Sequence, residues 1–209
     1  MAEAAHASVI SSTEELEAVY GSPVPAAVLK ELDHVNDDYR RFVELSPFVV
    51  LATAGPDGLD CSPRGDAAGF VRVVDPRTLQ IPDRRGNNRV DSLRNIVRDP
   101  RVGLLFLVPG VGETLRVNGR AVLRTDAELC NSFAVGERVP ACVIEVAVDA
   151  VYSQCQKALV RSHLWDPQRY VERSCLPTVG QILERISEGE FDGRAYDEAY
   201  PERLRQTLY

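Results

Sequence analysis

Two segments in the second half of the chain alternate apolar and polar residues with a period of two, and no other feature restricts the fold as much. In residues 115–124, Leu115, Val117, Gly119, Ala121 and Leu123 share one face. Arg116, Asn118, Arg120 and Arg124 lie on the other, with Val122 as its apolar member. In residues 142–151, Ile144, Val146, Val148 and Ala150 oppose Glu145 and Asp149. Side chains alternate across a strand, so each pattern specifies one buried and one solvated face, the mark of an antiparallel sheet. Shorter strand-like runs precede them at 48–53, 59–64, 70–74, 78–81 and 102–108. Gly55-Pro56-Asp57-Gly58 marks the turn between the first two. Seven strands with one short helix between the fourth and fifth leave too few helices for βαβ units. The chain is therefore predicted to be mainly β with flanking helices, its antiparallel strands forming a closed or partly closed barrel.

Helical patterning flanks this region. Residues 13–46 read as helix: Thr13-Glu14-Glu15-Leu16 opens like a cap, Pro23 and Pro25 interrupt, and Leu29, Leu32, Val35 and Tyr39 resume at helical spacing until Ser46-Pro47. The first dozen residues read as a frayed end, and the tail from about Ser153 returns to helix. The expected division is a helical segment at 1–46, a barrel domain at 47–152 and a helical segment at 153–209 that packs on the barrel. At 209 residues the chain can bury a substantial core.

Charge and composition exclude several function classes. The net charge of −7 disfavours nucleic acid, which requires a basic face. No apolar run approaches the roughly 18 residues of a membrane span, and no basic stretch precedes an apolar one at the N-terminus, which points to a cytoplasmic protein. Five widely spread cysteines, none paired as Cys-x-x-Cys, suggest buried free thiols rather than disulfides or zinc. Three scattered histidines argue against a metal centre.

Against this acidic background, Asp83-Arg84-Arg85-Gly86-Asn87-Asn88-Arg89 is a local exception. It follows a strand-like run and leads into a short helix with Leu93, Ile96 and Val97 on one face. Free N–H groups and the dipole at a helix N-terminus favour an anion, and arginine adds bidentate, charge-assisted bonds suited to phosphate. A solvated basic turn is the alternative. The loop lacks the spacing of a nucleoside triphosphate loop, and no Gly-x-Gly-x-x-Gly opens a helix. Three further segments carry polar chemistry. Ser62-Pro63-Arg64-Gly65-Asp66 ends the second strand, and Gly112-Glu113-Thr114-Leu115-Arg116 enters a strand with a polar outer face. In 153–165, Gln154, Lys157, Arg161 and Trp165 fall on one helical stripe. Lys157 and Arg161 lying along a helix edge, with Trp165 as a core anchor, is the other reading of that stripe.

Taken in order, Ser-Pro-Arg-Gly-Asp (62–66), Asp-Arg-Arg-Gly-Asn-Asn-Arg (83–89), the run from Asn95 to Phe106 and Leu-Arg-Val-Asn-Gly-Arg-Ala (115–121) resemble the pyridoxamine 5′-phosphate oxidase-like family of FMN-binding split barrels. The similarity spans roughly residues 40–166. It implies an FMN-binding split barrel that works as a homodimer, with the flavin in two equivalent clefts at the interface and the C-terminal segment packing on barrel and dimer. Arg64 and the backbone of Gly65 and Asp66 would lie along the flavin ring and ribityl chain. The phosphate would fall to the loop Asp83, Arg84, Arg85, Gly86, Asn87, Asn88 and Arg89, with Ser92 at the following helix start. Glu113, Thr114, Arg116, Gln154, Lys157, Arg161 and Trp165 would reach the same flavin from the partner subunit. Ser-Pro-Arg-Gly-Asp replaces the Arg-x-Val-Leu-Leu-Lys strand of true pyridoxamine phosphate oxidases, and their C-terminal substrate-phosphate motif is not recognisable. The resemblance therefore implies FMN but not a vitamin B6 substrate. It points to an FMN-dependent oxidoreductase acting on a small molecule, with a non-catalytic FMN-binding or storage protein as the alternative. Related split barrels bind haem or deazaflavin, and few histidines argue against haem.

Overall fold

The computed structural model describes residues 9–209. Most of the segment expected to fray lies outside that range. Among the described residues, seven strands form one sheet in which every pairing is antiparallel. They are β1 (Phe48–Gly55), β2 (Gly58–Gly65), β3 (Arg72–Asp75), β4 (Thr78–Pro82), β5 (Arg101–Leu107), β6 (Thr114–Arg124) and β7 (Val143–Gln154). Their order across the sheet is β2-β1-β5-β6-β7-β4-β3. The sheet curls until the C-terminal ends of β2 and β4 face each other, with no ladder between them. This is the split barrel, and the gap in its wall is the split.

Alternation fills the interior. Val49 and Leu51 of β1, Leu79 and Ile81 of β4, Leu104 and Phe106 of β5, Leu115 and Val117 of β6 and Ile144 and Val146 of β7 form one buried cluster. The helices α3 (Asp37–Leu45) and α4 (Asp91–Arg98) add Val43 and Ile96 to it. On α4, Val97 is exposed, contrary to expectation. The inner stripe instead uses Ser92 and Asn95, which are buried because they are hydrogen-bonded. The Asn95 amide donates to Thr53 Oγ1 at 3.1 Å. A Cβ at Gly55 would lie 2.2 Å from Asn95 Oδ1, so only glycine lets this helix sit on β1.

The β6–β7 ladder contains a bulge. Gly119 pairs with Val148 while Asn118 pairs with Ala150, leaving Asp149 as the extra residue. Alternation on β7 shifts there, and Val151, not Ala150, takes the inner face. At Gly119 a Cβ would meet the Ala147 carbonyl oxygen at 2.2 Å. Leu32 caps this end of the barrel through a two-way backbone bridge with Val151, so the helical run expected across 29–39 is broken between Leu29 and Asp37.

The chain divides into two compact units, one ending at Glu31 and the other spanning Leu32–Tyr209. The first holds α1 (Thr13–Tyr20) and α2 (Pro25–Leu29). Ser12, one residue earlier than expected, caps α1 by accepting from the Glu15 N–H. In the second unit, α5 (Ala127–Asn131) follows β6, and α6 (Lys157–Ser162), α7 (Val179–Ile186) and α8 (Gly193–Thr207) follow β7. The tail therefore turns helical later than expected, because β7 continues to Gln154 opposite Thr114. None of the described helices is long and apolar enough to cross a membrane.

All five cysteines are free, but only Cys130 and Cys142 are buried, whereas Cys61, Cys155 and Cys175 are exposed. The expectation of buried thiols fails for these three because Cys61 points outward on β2, Cys155 links β7 to α6 and Cys175 ends a short 3-10 turn of helix between α6 and α7. Burial, together with the neighbouring Asp83 carboxylate, pushes the Cys142 thiol up to about 11. A thiol-reactive probe at pH 8 should therefore leave Cys130 and Cys142 unmodified in native protein and reach all five after denaturation. Equal labelling of all five in native protein would contradict this packing.

Candidate functional site

The edge strand β2 inverts the usual pattern. Leu59, Cys61, Pro63 and Gly65 point outward and are exposed, while Asp60, Ser62 and Arg64 point inward. Polar groups turned inward must find partners. Ser62 Oγ donates to Asp60 Oδ2 at 2.8 Å, and Ser92 Oγ, at the start of α4, donates to the same oxygen. Ser92 in turn accepts from Arg64 Nη2 at 3.3 Å, and Arg64 Nη1 donates to the Pro63 carbonyl at 3.0 Å. Arg64 Nε is buried without a hydrogen-bond acceptor. Its nearest charge is Asp83 Oδ1 at 3.9 Å, across the split.

The 83–90 loop leaves β4 along the opposite rim. Arg84 Nε donates to Asp66 Oδ2 at 2.7 Å and its Nη1 to the Phe133 carbonyl at 2.7 Å. Two pairs thus cross the split in opposite senses, Arg64 to Asp83 and Arg84 to Asp66. Beyond Arg84 the loop is exposed, with Arg89 paired to Asp91 and its N–H donating to Asn87 Oδ1 at 3.1 Å. Asn88 and Val90 adopt φ of 61° and 52°. Left-handed backbone is strained for a β-branched residue such as Val90. Val90 is also the N-cap of α4 and offers no side-chain acceptor, so the first N–H groups of that helix are free for an external anion.

These elements enclose a cleft of about 990 Å³. The inner face of β2, the 83–90 loop and the first turn of α4 form its walls, with residues 137–141 and Leu208–Tyr209 completing it. The two acids that pair with arginine across the split differ. For Asp66, burial acts to raise the pKa but is outweighed by hydrogen bonds from the Ala67 N–H, the Tyr209 hydroxyl and Arg84, which hold the carboxyl below its ordinary value. Burial raises the Asp83 pKa, offset only in part by the charge of Arg64.

The cleft brings together Arg64, Gly65, Asp83, Arg84, Arg85, Gly86, Asn87, Asn88, Arg89 and Ser92, with Asp66 joined through Arg84. The other expected group lies elsewhere. Thr114 and Gln154 face each other where β6 begins and β7 ends, and Glu113 sits in the turn before them. Arg116 Nη1 donates to the Tyr152 hydroxyl at 3.1 Å. Lys157 and Arg161 are exposed on α6, and Trp165, past the end of that helix, donates from Nε1 to the Val111 carbonyl at 2.8 Å. The single helical stripe expected for Gln154, Lys157, Arg161 and Trp165 is not formed, because the helix has only six residues and Gln154 is on a strand. None of these seven residues lines the cleft of the single chain. Sequence reasoning missed Asp60, Ser62 and Tyr209. The polar Asp60, Ser62, Arg64 alternation was a usable signal for the first two.

Comparison with known proteins adds the family context. Residues 35–155 match the family model described as pyridoxamine 5′-phosphate oxidase. Similar solved structures include HupZ of Group A Streptococcus, with 17% identity over 58% of this chain and 94% of that one (TM-score 0.48). General Stress Protein 26 of Bacillus anthracis gives 18% identity over 54% and 88% (TM-score 0.41). A NimC/NimA family protein of Clostridium acetobutylicum gives 15% over 56% and 91% (TM-score 0.38). No curated protein matches.

The two acids give a stability test of opposite sign. The depressed pKa of Asp66 contributes stability that is present above the ordinary carboxylate pKa and lost as pH falls through the folded value. The raised pKa of Asp83 contributes stability that is present at low pH and lost as pH rises through its folded value. At pH 7, Asp66→Asn should destabilise by about 3 kcal/mol, because it leaves Arg84 unpaired in a mostly buried position. Asp83→Asn should be neutral or stabilising. Denaturant unfolding of both variants checks this, and equal losses would refute the assignment.

Proposed function

The chain belongs to the pyridoxamine 5′-phosphate oxidase family, and from that premise we propose that it is an FMN-dependent oxidoreductase acting on a small molecule, its FMN phosphate held by the 84–89 loop. The observation that carries this reading is the buried, unpartnered Nε of Arg64 beside a loop that lines the same cleft with three more arginines. A buried donor lacking an acceptor costs about 1–3 kcal/mol, so the site suits a ligand with anionic or carbonyl oxygens. Arg64 donates to Ser92 in the first turn of α4, so an anionic ligand bound at that helix start would also come within reach of Arg64.

When bound, FMN supplies the electron-carrying ring, so the protein needs no nucleophile of its own. The chain's tasks are binding and orientation. Arg85 and Arg89, exposed on the loop, neutralise the phosphate, and the free N–H groups of α4 add directed bonds. Arg84 is held by Asp66 through Nε and by the Phe133 carbonyl through Nη1, so its guanidinium is fixed in place. Ser92 and Asp60 orient Arg64. We place the second group, Glu113, Thr114, Arg116, Gln154, Lys157, Arg161 and Trp165, at the partner subunit's flavin in a homodimer. The exposure of Arg116, Lys157 and Arg161 around one end of the β6–β7 pair supports this, since these cations serve no site in the single chain.

Arg89 is the cleanest probe. Its ion pair with Asp91 is solvent-exposed and worth little to stability, whereas Arg84 also holds the split together. A charge-assisted bond to phosphate is worth roughly 1.5–3 kcal/mol, and 1.4 kcal/mol is tenfold in affinity. Arg89→Ala should weaken FMN about tenfold or more while leaving riboflavin, which has no phosphate, nearly unaffected. A titration in which both ligands lose affinity equally would sink the phosphate assignment.

A further inference from the structure

Leu208 and Tyr209 reach the cleft from beyond α8, outside the segment 35–155 that the family model matches. The Tyr209 hydroxyl donates to Asp66 Oδ1 at 2.8 Å, and the Arg84 guanidinium carbon lies 5.7 Å from the centre of its ring. Both oxygens of Asp66 are thereby engaged, since Oδ2 takes Arg84 Nε at 2.7 Å and Oδ1 also accepts from the Ala67 N–H at 2.7 Å. Arg84 has committed Nε and Nη1 to Asp66 and Phe133, which leaves Nη2 as the donor that neither of them engages. An aromatic face beside a guanidinium is itself a favourable contact, so the ring competes with an anion for Arg84.

The tyrosine does not hang on a loose tail. Asp197 of α8 accepts from the Gly180 N–H at 2.9 Å and from the Thr178 hydroxyl, locking α8 to α7. Backbone approach is also close, because a Cβ at Gly180 would lie 2.0 Å from the Gly193 carbonyl oxygen. The α7–α8 pair is thus one body, and Tyr209 follows it two residues past the end of α8.

We propose that Leu208 and Tyr209 form a strap that occupies the arginine end of the cleft and that a phosphorylated ligand must displace to reach Arg84. The proposal rests on the phosphate reading of this site. It makes the strap an autoinhibitory contact: ligand binds only the open fraction, and the apparent affinity falls by that fraction. Affinity for the ligand and the docking of the tyrosine are then reciprocal.

Stopped-flow FMN binding to the full chain, to Tyr209→Phe and to Tyr209→Ala tests this. The association rate constant should rise roughly fivefold in Tyr209→Ala and less in Tyr209→Phe, which keeps the ring, while dissociation changes by less than about twofold. Amide hydrogen exchange of residues 205–209 in ligand-free protein gives a readout independent of flavin. These amides should be protected in the native chain, and Tyr209→Ala or added FMN should remove that protection. Unchanged association in Tyr209→Ala overturns the proposal. So does faster dissociation, which would make the tyrosine a cover over bound flavin. If neither protein binds FMN while Tyr209→Ala still removes the protection, the strap's docking stands and the flavin reading falls.

Discussion

A sheet that curls without closing leaves a gap, here between the ends of β2 and β4, and two Arg–Asp pairs bridge it. Arg64 and Asp66 come from one rim, Asp83 and Arg84 from the other, and each rim contributes one cation and one anion. The crossing keeps the split neutral while placing two guanidinium groups at the mouth of a cleft. The pairs are unequal. Arg84 and Asp66 are hydrogen-bonded and mostly buried, whereas Arg64 and Asp83 touch only by charge at 3.9 Å. Partly buried pairs of the second kind recover little of their desolvation cost. The weaker pair is the one with a donor to spare, and it faces the cleft.

The rest of the site follows from this arrangement. An edge strand with one free side can turn Asp60, Ser62 and Arg64 inward, because a central strand in that place would expose them to the apolar interior. Ser92 completes the network only because α4 is seated against β1 by the close approach of Gly55 and Asn95. That seating also points the uncapped start of the helix at the cleft. The core, the helix and the cleft are therefore linked by a few contacts.

Much of this was legible in the residues. The strands β6 and β7 were marked by long alternation, and the arginine loop by a local charge excess in an acidic chain. What was not legible has physical causes. The stripe through Lys157 and Arg161 was read as one helix through Gln154 and Trp165, but pairing of Gln154 with Thr114 extends the strand and overrides helical spacing. Spacing alone puts Leu93, Ile96 and Val97 on one face, whereas hydrogen bonds make burial of Ser92 and Asn95 possible and leave Val97 exposed. Ala150 was put in the wrong phase because a bulge at Asp149 is invisible to simple alternation. Tyr209 reaches Asp66 across 143 positions, and no local pattern encodes such a contact.

The central claim is that the split binds a flavin through its phosphate rather than through its ring alone. The ratio of the dissociation constants of riboflavin and FMN for the native chain measures this directly, by titration of flavin fluorescence or absorbance. Phosphate contacts to the arginine loop and the N-terminus of α4 set that ratio at about tenfold or more in favour of FMN. Equal affinity for the two flavins, or binding of neither, would contradict the account.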